Sequence, residues 1–340
     1  MIRRSEAARD ASTQQVPVRL SPLVPFSSAA KSAYDLADRA VIHLAAAAAR
    51  CHNGDPSFVL PTRPTPMIAP VPPTVLVFDS GLGGLTVFRE IMKVRPDARF
   101  IYAADDAVFP YGAIEEAKLV TRILTVMASL IEAHRPDLVV IACNTASTIA
   151  LSSLRARFSV PFVGTVPAIK PACAASVSKC ISVLGTKATV KHEYTQGLIR
   201  EFAAGCEITL VGSARLAALA ETELGGGRIG DREIAAELAP CFVNGDKRTD
   251  TVVLACTHYP LLLHRFTRVA PWPVNFIDPA AAIARRVIDL LGQARPSQPV
   301  RPRAIFTSGR LLTPALEATL RNFGLGEIAA LDRLSPVGAA

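Results

Sequence analysis

Two apolar runs in this chain end in the same way. VVIACNTAST (139–148) and VVLACTHYPL (252–261) each stop on Ala-Cys and turn polar at once, which sets Cys143 beside Asn144 and Thr145, and Cys256 beside Thr257 and His258. A thiol has a reference pKa of about 8.5, so it can be tuned to act as base in one state and acid in the other. Two thiols facing one carbon from opposite sides would invert it: a thiolate removes a proton from one face and a thiol delivers one to the other. Reversing the direction exchanges the roles, which suits a repeated device. A cysteine that opens a helix also gains stabilisation of its thiolate from the helix dipole. The simpler readings are a buried packing cysteine, half of a metal site, or the nucleophile–base pair of a Cys-His hydrolase built on Cys256. The hydrolase leaves Cys143 unexplained. No convincing third or fourth ligand accompanies the Cys-His pair, so no metal is expected.

Such thiols need elements that aim them. From Thr74 onward, nine short runs read as buried strands: TVLVFDS, RFIYAAD, LVVIACN, PFVGTV, CISVLGT, EITLVGS, TVVLACT, VNFID and AIFTSG. Between most of them lie stretches of helical periodicity, such as LTVFREIMKV and PAAAIARRVIDLLGQ. Strands alternating with helices predict an α/β fold with open parallel sheets covered on both faces, and nine strands suit two small sheets. Ligands bind such sheets beyond the carboxyl ends of the strands. Those ends are Asp79-Ser80, Asp105-Asp106, Cys143-Asn144-Thr145, Thr165, Gly185-Thr186, Cys256-Thr257-His258 and Asp278. Small hydroxyls, carboxylates, an amide and two thiols suit a small zwitterion.

Three further turns join this set. DSGLGGLTVF (79–88) runs from a strand end through glycines into a helix, whose first N–H groups can hold a carboxylate. Thr86 stands where the dinucleotide fingerprint needs its third glycine, and no GK[ST] P-loop occurs, so no nucleotide cofactor is expected. FPYG (109–112) is a loop around Tyr111 and Gly112, and LGTKATV offers the hydroxyls of Thr186 and Thr189. A plain tight turn, an aromatic lid and ordinary helix caps are the bland alternatives for these three.

The bulk numbers bound the remainder. With 340 residues the chain can hold two domains, and 50% hydrophobic against 19% charged residues excludes a mostly disordered chain. The net charge of +8 is scattered rather than clustered, so nucleic acid is not expected as the main partner. Seven cysteines without a CxxC pair fit neither a disulfide framework nor a four-cysteine zinc site. No stretch is long and apolar enough to span a bilayer, and the N-terminus is a poor secretory signal, which leaves a reducing cytoplasm as the expected location. Residues 1–73 form a distinct extension, poorly ordered on its composition, with an Ala-rich stretch and then seven prolines between Pro56 and Pro73 that read as a linker. Met67 precedes the regular region, so residues 1–66 are expected to be dispensable for catalysis.

DSGLGGLTV, PYG, ACNTAST, VPAIKPA, LGTKATV and LACTHYPLL, in this order and spacing, resemble the glutamate racemase family of the aspartate/glutamate racemase superfamily. The likeness runs from about Thr74 to Leu334. It implies a cofactor-independent enzyme that interconverts L- and D-glutamate and supplies the D-form for peptidoglycan. It implies that Cys143 and Cys256 are catalytic, and that Asp79 and His258 assist the neighbouring thiols. It places Asp79, Ser80, Tyr111, Gly112, Asn144, Thr145, Thr257 and His258 at the substrate, with Thr186 and Thr189 nearby. By the same resemblance, one α/β domain holds 74–166 plus 279–335, the other holds 167–278, and the active site lies between them. The expected partner is glutamate itself, with no membrane, and a homodimer is compatible with the sequence. A racemase of aspartate or another small acid, and a catalytically idle binding protein of the same fold, remain as alternatives.

Overall fold

In the strand Thr74–Asp79 (β2), Val75 and Val77 enter one apolar cluster while Leu76 and Phe78 enter another. Alternation with both faces buried is the mark of a parallel sheet covered by helices. The computed structural model describes residues 15–18, 71–296 and 300–331. Within them β2 lies at the centre of a six-stranded sheet with Arg99–Ala104 (β3), Leu138–Ile141 (β4), Phe162–Gly164 (β5), Arg303–Phe306 (β10) and Glu327–Ala330 (β11). The order is β11-β10-β3-β2-β4-β5, all parallel.

The second sheet holds Gln15–Val18 (β1), Cys180–Thr186 (β6), Glu207–Ser213 (β7), Thr251–Ala255 (β8) and Asn275–Ile277 (β9), in the order β1-β7-β6-β8-β9. Every pairing is parallel except β1 with β7. All nine strands expected from the sequence are present. β11 and β1 were not foreseen. β1 falls inside the stretch read as an extension, and its Pro17 is tolerated because β1 is an edge strand. The Ala-rich and proline-rich stretches and Met67 lie outside the described residues.

Helices Leu85–Val94 (α1) and Ala280–Leu291 (α10) cover one face of the first sheet. Glu116–His134 (α2) and Asn144–Arg157 (α3) cover the other. In α2 the buried stripe is Leu119, Ile123, Val126, Met127 and Leu130, spaced as one helical face. The second sheet is likewise buried on both faces. Ile169–Ala175 (α4), Lys187–Lys191 (α5) and Glu193–Phe202 (α6) pack on one side, Leu216–Leu224 (α7), Asp231–Leu238 (α8) and Leu263–Val269 (α9) on the other. Among the described residues no helix is long and apolar enough to cross a membrane.

Candidate active site

Cys143 follows β4 and is the N-cap of α3, with its Sγ accepting the Ala146 N–H at 3.5 Å. Its thiol donates to Ser80 Oγ at 3.6 Å. The sequence suggested a thiolate stabilised by the helix start. Burial outweighs that: desolvation first, and then the negative charge of Asp79, push the Cys143 thiol up to about 12. Cys143 therefore holds its proton in the ligand-free protein.

Cys256 follows β8 in the other lobe, and its Sγ lies 3.9 Å from His258 Nδ1. The two thiols line one small cavity of about 20 Å³. Ser80, Tyr111, Gly112, Asn144, Thr145, Thr186, Thr257 and His258 complete its walls, joined by Phe109, Pro110 and Ala217. Ten of the twelve residues singled out in the sequence thus meet at one place. The other two stand just behind the wall. Asp79 accepts the Thr257 hydroxyl at 3.1 Å and the Gly81 N–H at 3.0 Å. Thr189 bonds Thr186 at 2.9 Å and Thr145 at 3.3 Å, hydroxyl to hydroxyl. Asp79 and Thr189 each tie one lobe to the other.

Asn144 carries a distinct signal. Both polar atoms of its amide are buried and have no hydrogen-bond partner. An unsatisfied buried polar atom costs about 1–3 kcal/mol, so this amide brings unused hydrogen-bonding capacity to the cavity wall beside Cys143.

Sequence reading did not find Glu221, on α7. Its Oε1 lies 3.0 Å from His258 Nε2 and accepts the Leu82 N–H at 2.7 Å. Burial opposes charge on both partners, yet their bonds win: the bond to His258 lowers Glu221, and His258 is held well above the usual histidine range by its bond to Cys256 first and by that to Glu221 second. The Gly83 N–H also points at Nε2, at 3.2 Å, a bond that only neutral His258 can accept. In the charged form that nitrogen's proton goes to Glu221. Gly83 allows this approach, because a Cβ there would lie 2.6 Å from the His258 backbone nitrogen.

The pair sets a pH window. With His258 raised above its unfolded value of about 6.5, its contribution is complete below that value and is lost as pH rises through the folded pKa. With Glu221 lowered, its contribution is present above its unfolded value of about 4.3 and is lost on acidification. The ion pair therefore stands through neutral pH. In Glu221→Gln, His258 is expected to titrate at lower pH, as followed by NMR of its imidazole. An unchanged titration would mean that Glu221 does not hold the charge.

Other strand-end residues are structural. Asp105 accepts the Tyr111 hydroxyl at 2.6 Å, Arg122 Nη2 at 2.6 Å and the Thr307 hydroxyl at 2.6 Å, which fixes the Pro-Tyr-Gly loop. Asp106 binds Ser308, Thr165 donates to the Ile141 carbonyl, and Asp278 accepts the Ala280 N–H. Among the described residues no group of three or more His, Cys, Asp or Glu side chains is placed to hold a metal ion.

Residues 87–287 match the family described as Asp/Glu/Hydantoin racemase. The chain belongs to this family. Glutamate racemase of Brucella anthropi is 50% identical over 256 residues, covering 74% of this chain and 92% of that protein. Glutamate racemase of Brucella canis is 50% identical over 275 residues, 79% of this chain and 98% of that one. Among solved structures, Escherichia coli glutamate racemase in complex with L-glutamate and the activator UDP-MurNAc-Ala superposes with a TM-score of 0.70 at 39% identity, covering 76% of this chain and 98% of that one.

Proposed function

We infer that the protein interconverts L- and D-glutamate through two opposed cysteines and so supplies D-glutamate for peptidoglycan. One observation carries the reading: thiols from the ends of two strands in two lobes line the same small cavity, beside a buried amide with no partner. The names of the family relatives point to glutamate as the substrate. The free state of every described cysteine suits a reducing cytoplasm.

The cavity holds about 20 Å³, the space of roughly one water. Glutamate enters only when the lobes separate, and their closing then strips water from the reacting centre. Once seated, its ammonium is a positive charge near the thiols that lowers the cost of forming a thiolate. The thiolate takes the α-proton, the hydroxyl and amide groups of the walls stabilise charge gathering on the α-carboxylate, and the facing thiol returns a proton to the other side. His258, charged and oriented by Glu221, aims its Nδ1–H toward Cys256 Sγ and offsets negative charge on it. On the other side Ser80 accepts from Cys143, and Asp79 acts through its charge and its hold on Thr257. By family resemblance Cys143 takes the proton of D-glutamate and Cys256 that of L-glutamate.

Chiral chromatography of L-glutamate and L-aspartate incubated with the protein tests the substrate. Glutamate is expected to racemise with the higher kcat/KM. A preference for aspartate, or no change in either, would remove the reading. A second expectation concerns Asn144. Asn144→Leu replaces two unsatisfied polar atoms with apolar ones, so its Tm should be unchanged or higher. Its kcat/KM for glutamate should fall about tenfold or more, the equivalent of one lost hydrogen bond to a charged group. Normal kinetics in this variant would remove Asn144 from the substrate site.

A further inference from the structure

Tyr102 stands on β3, fully buried in the apolar cluster on the α1 face of the first sheet. Its ring packs edge-on against Phe88 of α1, with 5.9 Å between centroids. Phenylalanine would serve that packing as well, so the hydroxyl has a separate use. Tyr102 Oη donates to the Gly81 carbonyl at 2.6 Å. A Cβ on Gly84 would lie 3.1 Å from the same oxygen, so the 81–84 turn rests directly on the phenol.

That turn reaches three of the groups around the thiols. The Gly81 N–H goes to Asp79 at 3.0 Å, the Leu82 N–H to Glu221 at 2.7 Å, and the Gly83 N–H points at His258 Nε2 at 3.2 Å. The carbonyls of Leu82, Gly83 and Gly84 accept from Leu85, Thr86 and Phe88 in the first turns of α1. The Gly81 carbonyl comes before the helix, and Tyr102 is the donor it meets.

We propose that Tyr102 is a positioning residue for racemisation: its hydroxyl fixes the 81–84 turn, and the turn's N–H groups fix Glu221 and His258 behind Cys256. The proposal rests on the racemase reading above. Glu221 and His258 belong to the other lobe, so the bonds from Leu82 and Gly83 break when the lobes separate to admit substrate. The bonds of Gly81 to Tyr102 and Asp79 lie within one lobe and hold throughout. The turn then meets Glu221 and His258 in the same geometry at each closing, held by a packed ring rather than by the ligand. The effect is uneven between the thiols. Cys143 takes its cap bond from Ala146 of α3, outside the turn, whereas His258 and Glu221 stand on the Cys256 side.

Tyr102→Phe tests this with a β-halogenated glutamate, which loses HX once its α-proton is removed and so reports each base separately. The hand on which Cys256→Ser fails reports Cys256, and the other hand reports Cys143. In Tyr102→Phe the ratio of the Cys256 rate to the Cys143 rate is expected to fall about fivefold or more, the equivalent of one lost hydrogen bond. Phe100→Leu is the control for packing. Phe100 lies edge-on to Phe88 at 5.5 Å in the same cluster, so its loss loosens the surroundings of Tyr102 while the hydroxyl stays. This variant should have a lower Tm and the wild-type ratio. A wild-type ratio in Tyr102→Phe would overturn the proposal, and so would an equal fall in Phe100→Leu, which would reduce the effect to loosened packing. Wild type that neither racemises glutamate nor eliminates would instead defeat the racemase reading, and the proposal with it.

Discussion

Cys143→Ala and Cys256→Ala are each expected to lower glutamate racemisation by about 10³-fold or more, within or beyond the range for a positioned proton-transfer group, with the fold intact. Neither side chain is needed for packing on the scale of a large core residue. Cys143 does one structural job, as the acceptor for the Ala146 N–H at the start of α3. Losing a cap costs about 1 kcal/mol, which shifts Tm by a few degrees and leaves the circular dichroism spectrum unchanged. Cys256 has His258 as its polar neighbour, so Cys256→Ala should cost less still unless the buried imidazolium is left short of a partner, and Glu221 supplies one. A fall in turnover without a comparable fall in stability separates chemistry from folding. Near-normal racemisation in either variant would remove that thiol from the reaction.

The serine variants should behave differently from each other. A glutamate analogue with a halogen at the β-carbon loses HX once its α-proton is removed, so it needs the abstracting base and not the facing acid. A serine hydroxyl is far less acidic than a thiol and is a poor base. It still accepts the α3 cap bond at position 143, so Cys143→Ser keeps the local fold. Cys143→Ser should therefore eliminate from the L-form and fail on the D-form, and Cys256→Ser should do the reverse. In each variant the disfavoured hand should be slower by about 10²-fold or more. The surviving rates need not match, because Cys256 has His258 and Glu221 behind it while Cys143 has Ser80 and the charge of Asp79. Equal loss for both hands in both variants would mean that the thiols do not divide the work by face.

Much of this arrangement was legible in the sequence because strand ends are legible. Runs such as LVVIACN and TVVLACT stop where the backbone leaves the sheet, so their polar tails had to gather at the carboxyl edge. Glu221 was not legible. It sits in LAALAETEL, where a glutamate reads as an exposed helix position, and only the approach of α7 to the loop after β2 brings it to His258. Ala217, on the same helix, has no chemistry to announce it. The protonation of Cys143 was not legible for a physical reason: a helix start favours a thiolate by a local dipole, whereas burial, which the sequence does not show, opposes it more strongly. Asp79, expected at the substrate by resemblance, accepts the Thr257 hydroxyl and the Gly81 N–H beside the cavity.

The central claim is that two different groups handle the proton on the two faces of one carbon. Its most direct test is a short incubation of L-glutamate with the protein in deuterium oxide, stopped well before equilibrium, with the α-hydrogen content of each enantiomer measured by mass spectrometry after chiral separation. Two opposed thiols predict D-glutamate carrying deuterium at the α-carbon and recovered L-glutamate still carrying hydrogen, because the acid that serves the product face exchanges with solvent before it delivers. Deuterium appearing equally in recovered L-glutamate at early times would point to a single base serving both faces and would contradict the account.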